Sequence, residues 1–212
     1  MEERLTLTNM TTEAGAKNGI IEPDSITDEY IRQRTSQAYE PIVGDDDRHY
    51  VDEYTYEIDK LEPIVAKPYS PQNAAVAREL QGVEINKAYI GSCTGAKLQD
   101  LRSAAQILRG KKVKIRTEVL PAAQSIYMKA MKEGLIDIFM QAGAVVGPPT
   151  CGACCGAHMG VLGKDEVCVS TTNRNFPGRM GHVESQTYLA SPLVVAASAI
   201  KGKITDPRDV SK

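Results

Sequence analysis

The stretch Thr150-Cys151-Gly152-Ala153-Cys154-Cys155-Gly156 places three cysteines in one glycine-rich segment, and a further cysteine, Cys93, lies in Ile90-Gly91-Ser92-Cys93-Thr94-Gly95. A disulfide between cysteines this close in sequence would be badly strained. Glycines allow the backbone to wrap tightly, so Cys151 and Cys154 can converge on one centre. Thiolates are soft ligands that suit zinc or iron–sulfur clusters. The sequence therefore predicts that folding brings Cys93, Cys151 and Cys154 together as three soft ligands.

The Cys-x-x-Cys pair leaves three kinds of site open: a redox pair, half of a zinc site and an iron–sulfur site. The chain has no second Cys-x-x-Cys to complete a four-cysteine zinc site, and the pair does not lie early in the chain as it does in thioredoxin-like folds. One further, distant cysteine favours a cluster with three protein ligands and one open iron. A structural zinc module remains the alternative. Cys155 is expected to pack beside the ligands, and Cys168 to lie in the core.

Composition excludes several classes of protein. The net charge is -2, with 25 Lys+Arg against 27 Asp+Glu, so no basic surface favours nucleic acid as a partner. Five cysteines in 212 residues indicate reduced thiols and predict a cytoplasmic protein. No apolar run approaches the roughly 18 residues that a membrane span needs, so no membrane partner is expected.

Hydrophobic periodicity predicts an α/β protein. After residue 70, predicted helices and strands alternate, which is typical of βαβ units and a parallel sheet with its sites at the carboxyl ends of the strands. Three prolines between Leu61 and Pro71 predict an extended linker. We therefore divide the chain into residues 1–68 and 69–212. The predicted elements of the second region are helices Asn73–Leu80, Lys97–Leu108, Ala122–Ala142 and Pro192–Ile200 and strands Lys87–Gly91, Lys112–Val119, Ala144–Val146 and Val167–Ser170.

The first region is expected to begin inside a larger architecture, because Leu5 to Thr8 shows no lead-in. We predict a short helix at Thr11–Lys17 and a second at Ser25–Tyr39, with Thr27 as its N-cap. Alternating polar and apolar residues from Tyr50 to Ile58 predict a half-exposed strand.

A polar loop follows the predicted strand that ends at Ser170. It contains Arg174 and Arg179, and planar guanidinium groups bind carboxylates through two parallel hydrogen bonds. A solvated surface loop is the alternative, but the density of amide and hydroxyl groups favours a binding loop.

Three runs of sequence now suggest a family. Gly91-Ser92-Cys93-Thr94, Cys151-Gly152-Ala153-Cys154 and Thr172-Asn173-Arg174-Asn175-Phe176-Pro177-Gly178-Arg179-Met180-Gly181 resemble the aconitase superfamily. The likeness is greatest to its large subunits of the 3-isopropylmalate dehydratase, homoaconitase and dimethylmalate dehydratase type, and it extends from about Leu5 to Val210. It implies an aconitase-like three-layer α/β/α fold with a mostly parallel sheet, preceded by part of a second α/β domain.

The resemblance also implies roles for particular residues. The three cysteines match the ligands of a 4Fe–4S cluster, whose open iron acts as a Lewis acid on the substrate. The segment Thr8-Asn9-Met10-Thr11-Thr12-Glu13-Ala14-Gly15-Ala16 resembles the family's Asn-Met-x-x-Glu-x-Gly-Ala, which would place Asn9 and Glu13 beside the cluster. The implied catalytic residues are Glu13, Arg174 and Arg179; the implied substrate-binding residues are Asn9, Asn173, Arg174 and Arg179; the implied metal ligands are Cys93, Cys151 and Cys154.

The implied activity is that of a hydro-lyase acting on a small hydroxy di- or tricarboxylate. Isopropylmalate, and so leucine biosynthesis, is the first choice, followed by homocitrate and dimethylmalate. The family usually has Asn where this chain has Gly95. The implied partners are a small subunit that carries the swivelling domain and a chain equivalent to the N-terminal half of a large subunit. The alternative is a cluster-binding fragment that is not catalytic without other chains.

Overall fold

The computed structural model describes residues 1–210, which divide into two compact units, one ending at Leu61 and the other beginning at Glu62. The first unit contains two helices, α1 (Glu2–Met10) and α2 (Ser25–Arg32). Two 3₁₀ turns accompany them, Thr11–Ala14 and Ile58–Lys60. None of residues 1–61, all of which are described, is buried. This unit therefore has no hydrophobic core of its own.

Local capping explains helix α2. The Asp24 side chain accepts hydrogen bonds from the backbone N–H groups of Ile26 and Thr27, at 3.0 and 3.1 Å. Asp24 is thus the N-cap, and the prediction of Thr27 is wrong. Arg4 pairs with the same carboxylate at 2.7 Å. The helix ends at Arg32, well before the predicted end at Tyr39.

The strand predicted from Tyr50 to Ile58 is absent, and this part of the described chain is irregular up to the 3₁₀ turn. Alternation of polar and apolar residues indicates a strand only where a neighbouring strand supplies hydrogen bonds. The short helix predicted at Thr11–Lys17 is a 3₁₀ turn that ends at Gly15, which adopts φ +87°. Both errors come from local patterns that tertiary pairing does not support.

The second unit is built on a seven-stranded sheet in the order β2-β1-β7-β6-β3-β4-β5. The five strands from β7 to β5 pair in parallel, and β1 pairs antiparallel with β2 and β7. The α/β class with a mostly parallel sheet is thereby confirmed. The strands are β1 (Ile64–Ala66), β2 (Ala74–Val76), β3 (Lys87–Ile90), β4 (Arg116–Val119), β5 (Val145–Val146), β6 (Val167–Ser170) and β7 (Gln186–Ala190).

Helices cover one face of this sheet. Their apolar sides form the main core with alternate residues of the strands, such as Ala88 and Ile90 of β3. Helix α4 packs on α7 and α6, with Leu101 and Leu108 fully buried. The helices of the second unit are α3 (Ser92–Gly95), α4 (Leu98–Leu108), α5 (Gln124–Lys132), α6 (Leu135–Ala142) and α7 (Pro192–Lys201).

Several predicted elements of the second unit differ from the structure. The helix predicted at Asn73–Leu80 is strand β2 followed by the 3₁₀ turn Ala77–Leu80. The single helix predicted at Ala122–Ala142 is two, because Gly134 adopts φ +71° between them. Strand β1 lies within the segment predicted as a linker, and strand β7 was not predicted. Short edge strands lack the periodic signal that identifies α4.

Loops cover the opposite face of the sheet. A second, smaller core there contains Tyr89 from β3, Leu120 after β4, and Cys154, Leu162 and Met180 from the loops. Residues 87 and 89 of β3 point to this face because side chains alternate along a strand. The cysteine segment therefore lies directly on the sheet. Among residues 1–210, no helix is both long and apolar enough to cross a membrane.

Truncation in the main core should be costly. Leu101→Ala removes a fully buried side chain and should lower the free energy of unfolding by about 3 kcal/mol. Met140→Ala truncates a side chain of α6 that is 62% exposed and should change it by less than about 0.5 kcal/mol. Urea denaturation of both variants measures the difference, and equal losses would contradict the described core.

Acid should weaken the contacts of the buried Asp206. Asp206 is buried and accepts from the Arg208 backbone N–H at 2.9 Å while pairing with Arg78 Nε at 2.9 Å. The hydrogen bond from the Arg208 side chain, above all, lowers the pKa of Asp206. A lowered folded-state pKa adds stability that is complete above the unfolded value and is lost as the pH falls through the folded value.

The variant Asp206→Asn should therefore be less stable than the wild type by about 2 kcal/mol at neutral pH. This difference should shrink as the pH falls below about 4, the ordinary range for aspartate. Urea denaturation across that range gives the measurement. A difference that stays constant with pH would show that the carboxylate charge contributes nothing.

Candidate functional site

The parallel strands bring the candidate residues to one edge of the sheet. Strand β3 lies between β4 and β6, with Ala88 paired to Thr117 and to Val169. The carboxyl end of β3 leads to Cys93. That of β6 leads to residues 171–181, which contain Arg174 and Arg179 and which we call the arginine loop. That of β5 leads to residues 147–160, which we call the cysteine loop. Because the carboxyl ends of parallel strands share an edge, all three segments begin there.

Two hydrogen bonds join the turn before Cys93 to the loop after β6. The Gly91 N–H donates to Thr171 Oγ1 at 2.9 Å, and that hydroxyl donates to the Gly91 carbonyl at 3.0 Å. The Thr171 N–H donates to the Tyr89 carbonyl at 3.0 Å. The turn before Cys93 and the start of the arginine loop are thus held together by hydrogen bonds.

Helix α3 carries Cys93 on a tight turn. Ser92 adopts φ +80°, which is unusual for a residue other than glycine. Its hydroxyl accepts from the Thr94 N–H at 3.2 Å. The buried Lys97 ammonium donates to the carbonyls of Thr94 and Cys93 at the end of this turn. Cys93 itself is exposed.

The cysteine loop forms a 3₁₀ turn, Gly152–Cys155. The Cys154 N–H donates to the Cys151 carbonyl at 3.0 Å. Gly152 adopts φ +50°, and a Cβ there would lie 2.7 Å from both Leu120 Cδ2 and the Tyr89 hydroxyl. A glycine is therefore required for this turn to lie on the sheet.

The cysteines differ in exposure. Cys151 and Cys155 are exposed, as is Cys93, whereas Cys154 is 5% exposed and Cys168 is fully buried. Burial raises the pKa of Cys168 to about 12, and the prediction that it belongs to the core is confirmed. The Cys155 thiol points back to the Gly152 carbonyl at 3.6 Å.

Electrostatics connect Cys154 to the other predicted ligands. Burial raises the pKa of the Cys154 thiol, while the charge and hydrogen bond of Arg179 lower it. The nearby Cys151 and Cys93 raise the pKa of Cys154 further. Arg179 Nε is shielded from solvent and has no hydrogen-bond partner within residues 1–210. In that part of the chain no group of three or more His, Cys, Asp or Glu side chains could hold a metal ion.

The remaining predicted residues lie in two places. Asn173 is buried and Arg174 half-buried at the start of the arginine loop. The Asn175 amide, which the sequence analysis did not assign to the site, donates to the carbonyls of Lys67 and Thr187 at 2.8 and 3.1 Å. It attaches the arginine loop to the strands beside it.

Asn9 and Glu13 belong to the first compact unit. Asn9 is exposed at the end of α1, and Glu13 is half-buried in the 3₁₀ turn that follows. Their place beside the cysteines stays a prediction.

Three residues that shape the site were not predicted: Tyr89, Thr171 and Lys97. Thr171 directly follows β6, and that position is a signal that could have identified it. Tyr89 lies within β3 and Lys97 between α3 and α4, and their roles depend on contacts that the sequence does not show. His158 was not assigned a role, and its Nε2 lies 3.0 Å from the Thr150 hydroxyl within the cysteine loop.

The family model of the Aconitase family (aconitate hydratase) matches residues 1–78 and 74–202. The chain belongs to the aconitase family.

Curated relatives within this family are similar over the whole chain. The 3-isopropylmalate dehydratase large subunit of Hydrogenobaculum sp. is 50% identical over 100% of this chain, which covers 50% of the relative. The 3-isopropylmalate dehydratase large subunit 1 of Pyrococcus furiosus is 51% identical over 100% of this chain, which covers 51% of it. The chain thus spans about half the length of these relatives.

Among solved structures, the aconitase X of Thermococcus kodakaraensis overlaps 48% of this chain and 27% of its own, with a TM-score of 0.33 and 20% identity. That likeness is too weak to carry a structural argument.

Gly95 is where the sequence departs from the motif that it resembles, and the structure shows what glycine does there. A Cβ at this position would overlap the carbonyl oxygen and side chain of Thr171, the residue that locks the two turns. This chain therefore has no space for an amide side chain at position 95.

The variant Gly95→Ala should consequently destabilise the protein by about 1–3 kcal/mol, although alanine is the better helix former. Gly82→Ala is the matched control, because a Cβ at that position meets nothing within 4 Å. Urea denaturation compares the two. Similar stabilities for both variants would show that the close approach to Thr171 is not a constraint.

Proposed function

We propose that this chain is the cluster-binding part of an iron–sulfur hydro-lyase, in which Cys93, Cys151 and Cys154 hold a 4Fe–4S cluster. The observation that carries the proposal is the convergence of the cysteine segments at one edge of the sheet, with Arg179 beside Cys154. In such a cluster each cysteine binds a different iron. The sulfurs therefore need not approach as closely as ligands of a single ion, for which residues 1–210 provide no group.

The residues present fit a cluster in two further respects. Gly152 leaves room for the loop to lie on Tyr89 and Leu120. Cys151 stays exposed there, while Cys154 is buried in the smaller core. Arg179 brings positive charge to Cys154, which favours the thiolate form that a metal requires. Neither feature is needed by an ordinary surface loop.

The proposed reaction is the dehydration of a hydroxy di- or tricarboxylate and the rehydration of the product, with isopropylmalate as the first substrate. When bound, the cluster would supply a Lewis acid at its open iron. Arg174 and Arg179 bind substrate carboxylates through their guanidinium groups. Asn173 adds a polar contact, and Asn9 and Glu13 complete the site in the proposed assignment. The relatives named 3-isopropylmalate dehydratase large subunit support this substrate.

Further polypeptide is part of the proposal. The relatives are named large subunits and are about twice as long as this chain, so a small subunit with a swivelling domain and the other half of a large subunit are the proposed partners. The first compact unit supports this, because none of residues 1–61 is buried. Its apolar side chains include Ile42 and Val51, which are 89% and 99% exposed. A polypeptide that covers them would supply the missing core.

Anaerobic reconstitution with iron and sulfide tests the cluster. The wild type should turn brown with broad visible absorption. Cys93→Ser, Cys151→Ser and Cys154→Ser should each lose most of it, because each removes one ligand. Cys168→Ser, from the core, and Cys155→Ser, from the same turn, are the matched controls and should retain it. Isopropylmalate dehydration should appear only when the partner polypeptides are added.

Two results would overturn the proposal. A wild type that stays colourless after reconstitution would exclude the cluster. Stoichiometric zinc without iron would revive the structural zinc module. If the two control variants lose as much absorption as the three ligand variants, the assay reports folding rather than ligation.

A further inference from the structure

We infer that strand β3 positions the cysteine loop at both of its ends, through two side chains of one face, Tyr89 and Lys87. The inference rests on the proposed cluster site, since positioning matters only if the loop holds a ligand. Tyr89 and Lys87 would be positioning residues, because each contacts the backbone of the loop and neither is proposed to touch the cluster or the substrate.

The first anchor is the Tyr89 hydroxyl. It donates to the Cys151 carbonyl at 2.8 Å, and the same carbonyl accepts from the Cys154 N–H at 3.0 Å. This one oxygen thus relates both cysteines of the loop to strand β3. The Tyr89 ring is fully buried and lies where a Cβ on Gly91 would overlap it, so the hydroxyl has little freedom to move.

The second anchor is the Lys87 ammonium. It is fully buried, donates to the Gly160 carbonyl and pairs with Glu118 Oε2 on the neighbouring strand at 3.2 Å. A buried ammonium is costly unless it is paired and hydrogen-bonded, and here both conditions are met. Gly160 adopts φ +94°, and a Cβ there would overlap the ammonium. The lysine therefore fixes the far end of the cysteine loop.

Both anchors belong to the strand that leads to Cys93. Residues 87 and 89 share a face, and after Ile90 the chain turns through Gly91 and Ser92 into the helix that carries Cys93. One rigid central strand, paired on both sides, thereby sets the position of all three proposed ligands. A loop rich in glycine would otherwise sample many conformations.

Hydrogen exchange of the 212-residue chain without a cluster tests the first anchor. Tyr89→Phe keeps the ring and removes the hydroxyl, so the amides of Cys154 and Gly156 should exchange about fivefold faster, while those of α4 should not change. After reconstitution, the visible absorption of the variant should decay about fivefold faster in the presence of a chelator. Tyr188→Phe, which removes a hydroxyl from a strand of the main core, is the matched control.

A double variant tests the second anchor without leaving a buried charge. Lys87→Met with Glu118→Gln removes the ammonium and the carboxylate together. It should speed exchange in the part of the loop next to Gly160 and leave the Cys154 amide protected. It also serves as the test of positioning should Tyr89→Phe fail to fold.

The outcomes separate the two proposals. Loop exchange and cluster decay in Tyr89→Phe that match those of Tyr188→Phe, with an unchanged loop in the double variant, would overturn the anchors. A faster-exchanging loop in a protein whose wild type takes up no cluster would overturn the proposed function and with it the role in positioning ligands. Local exchange together with faster cluster decay supports both.

Discussion

The parallel pairing of β3 with strands on both sides is the constraint on which the site depends. In a parallel sheet every strand runs the same way, so the segments that follow β3, β5 and β6 leave from one edge. Three regions distant in sequence are thereby brought together by backbone hydrogen bonds alone. The Thr171 hydroxyl then joins two of these segments through hydrogen bonds with the Gly91 N–H and carbonyl groups. The cysteines need no contact with one another to be assembled.

Sequence patterns could predict the class of the fold and the candidate ligands, because both depend on local signals. Helix α4 has a clear apolar period, and cysteines in glycine-rich turns are uncommon enough to identify. Tyr50–Ile58 shows the limit of such signals, since its alternation resembles a strand but no partner strand pairs with it. Tyr89 and Lys87 could not be predicted, because within a strand they resemble ordinary core and edge residues. Their role depends on a loop more than 60 residues away.

The two compact units show how differently order can be achieved. In the second, a sheet with an extensive buried core holds even short elements such as β5 in place. In the first, order depends on local interactions: the Asp24 cap, its pair with Arg4, and the turn that ends at Gly15. Such contacts contribute little individually, and isolated helices as short as α1 and α2 are marginal in water. The stability of that unit should depend on what covers its apolar side chains.

The three proposed ligands differ in burial, and burial affects how readily a thiol loses its proton. Cys93 and Cys151 are exposed, whereas burial raises the pKa of Cys154. A thiol must lose its proton to bind a metal, so Cys154 has the greatest need for compensating charge. Arg179 supplies it, and Arg179 is also a proposed substrate-binding residue. One guanidinium would therefore serve both the ligand and the substrate.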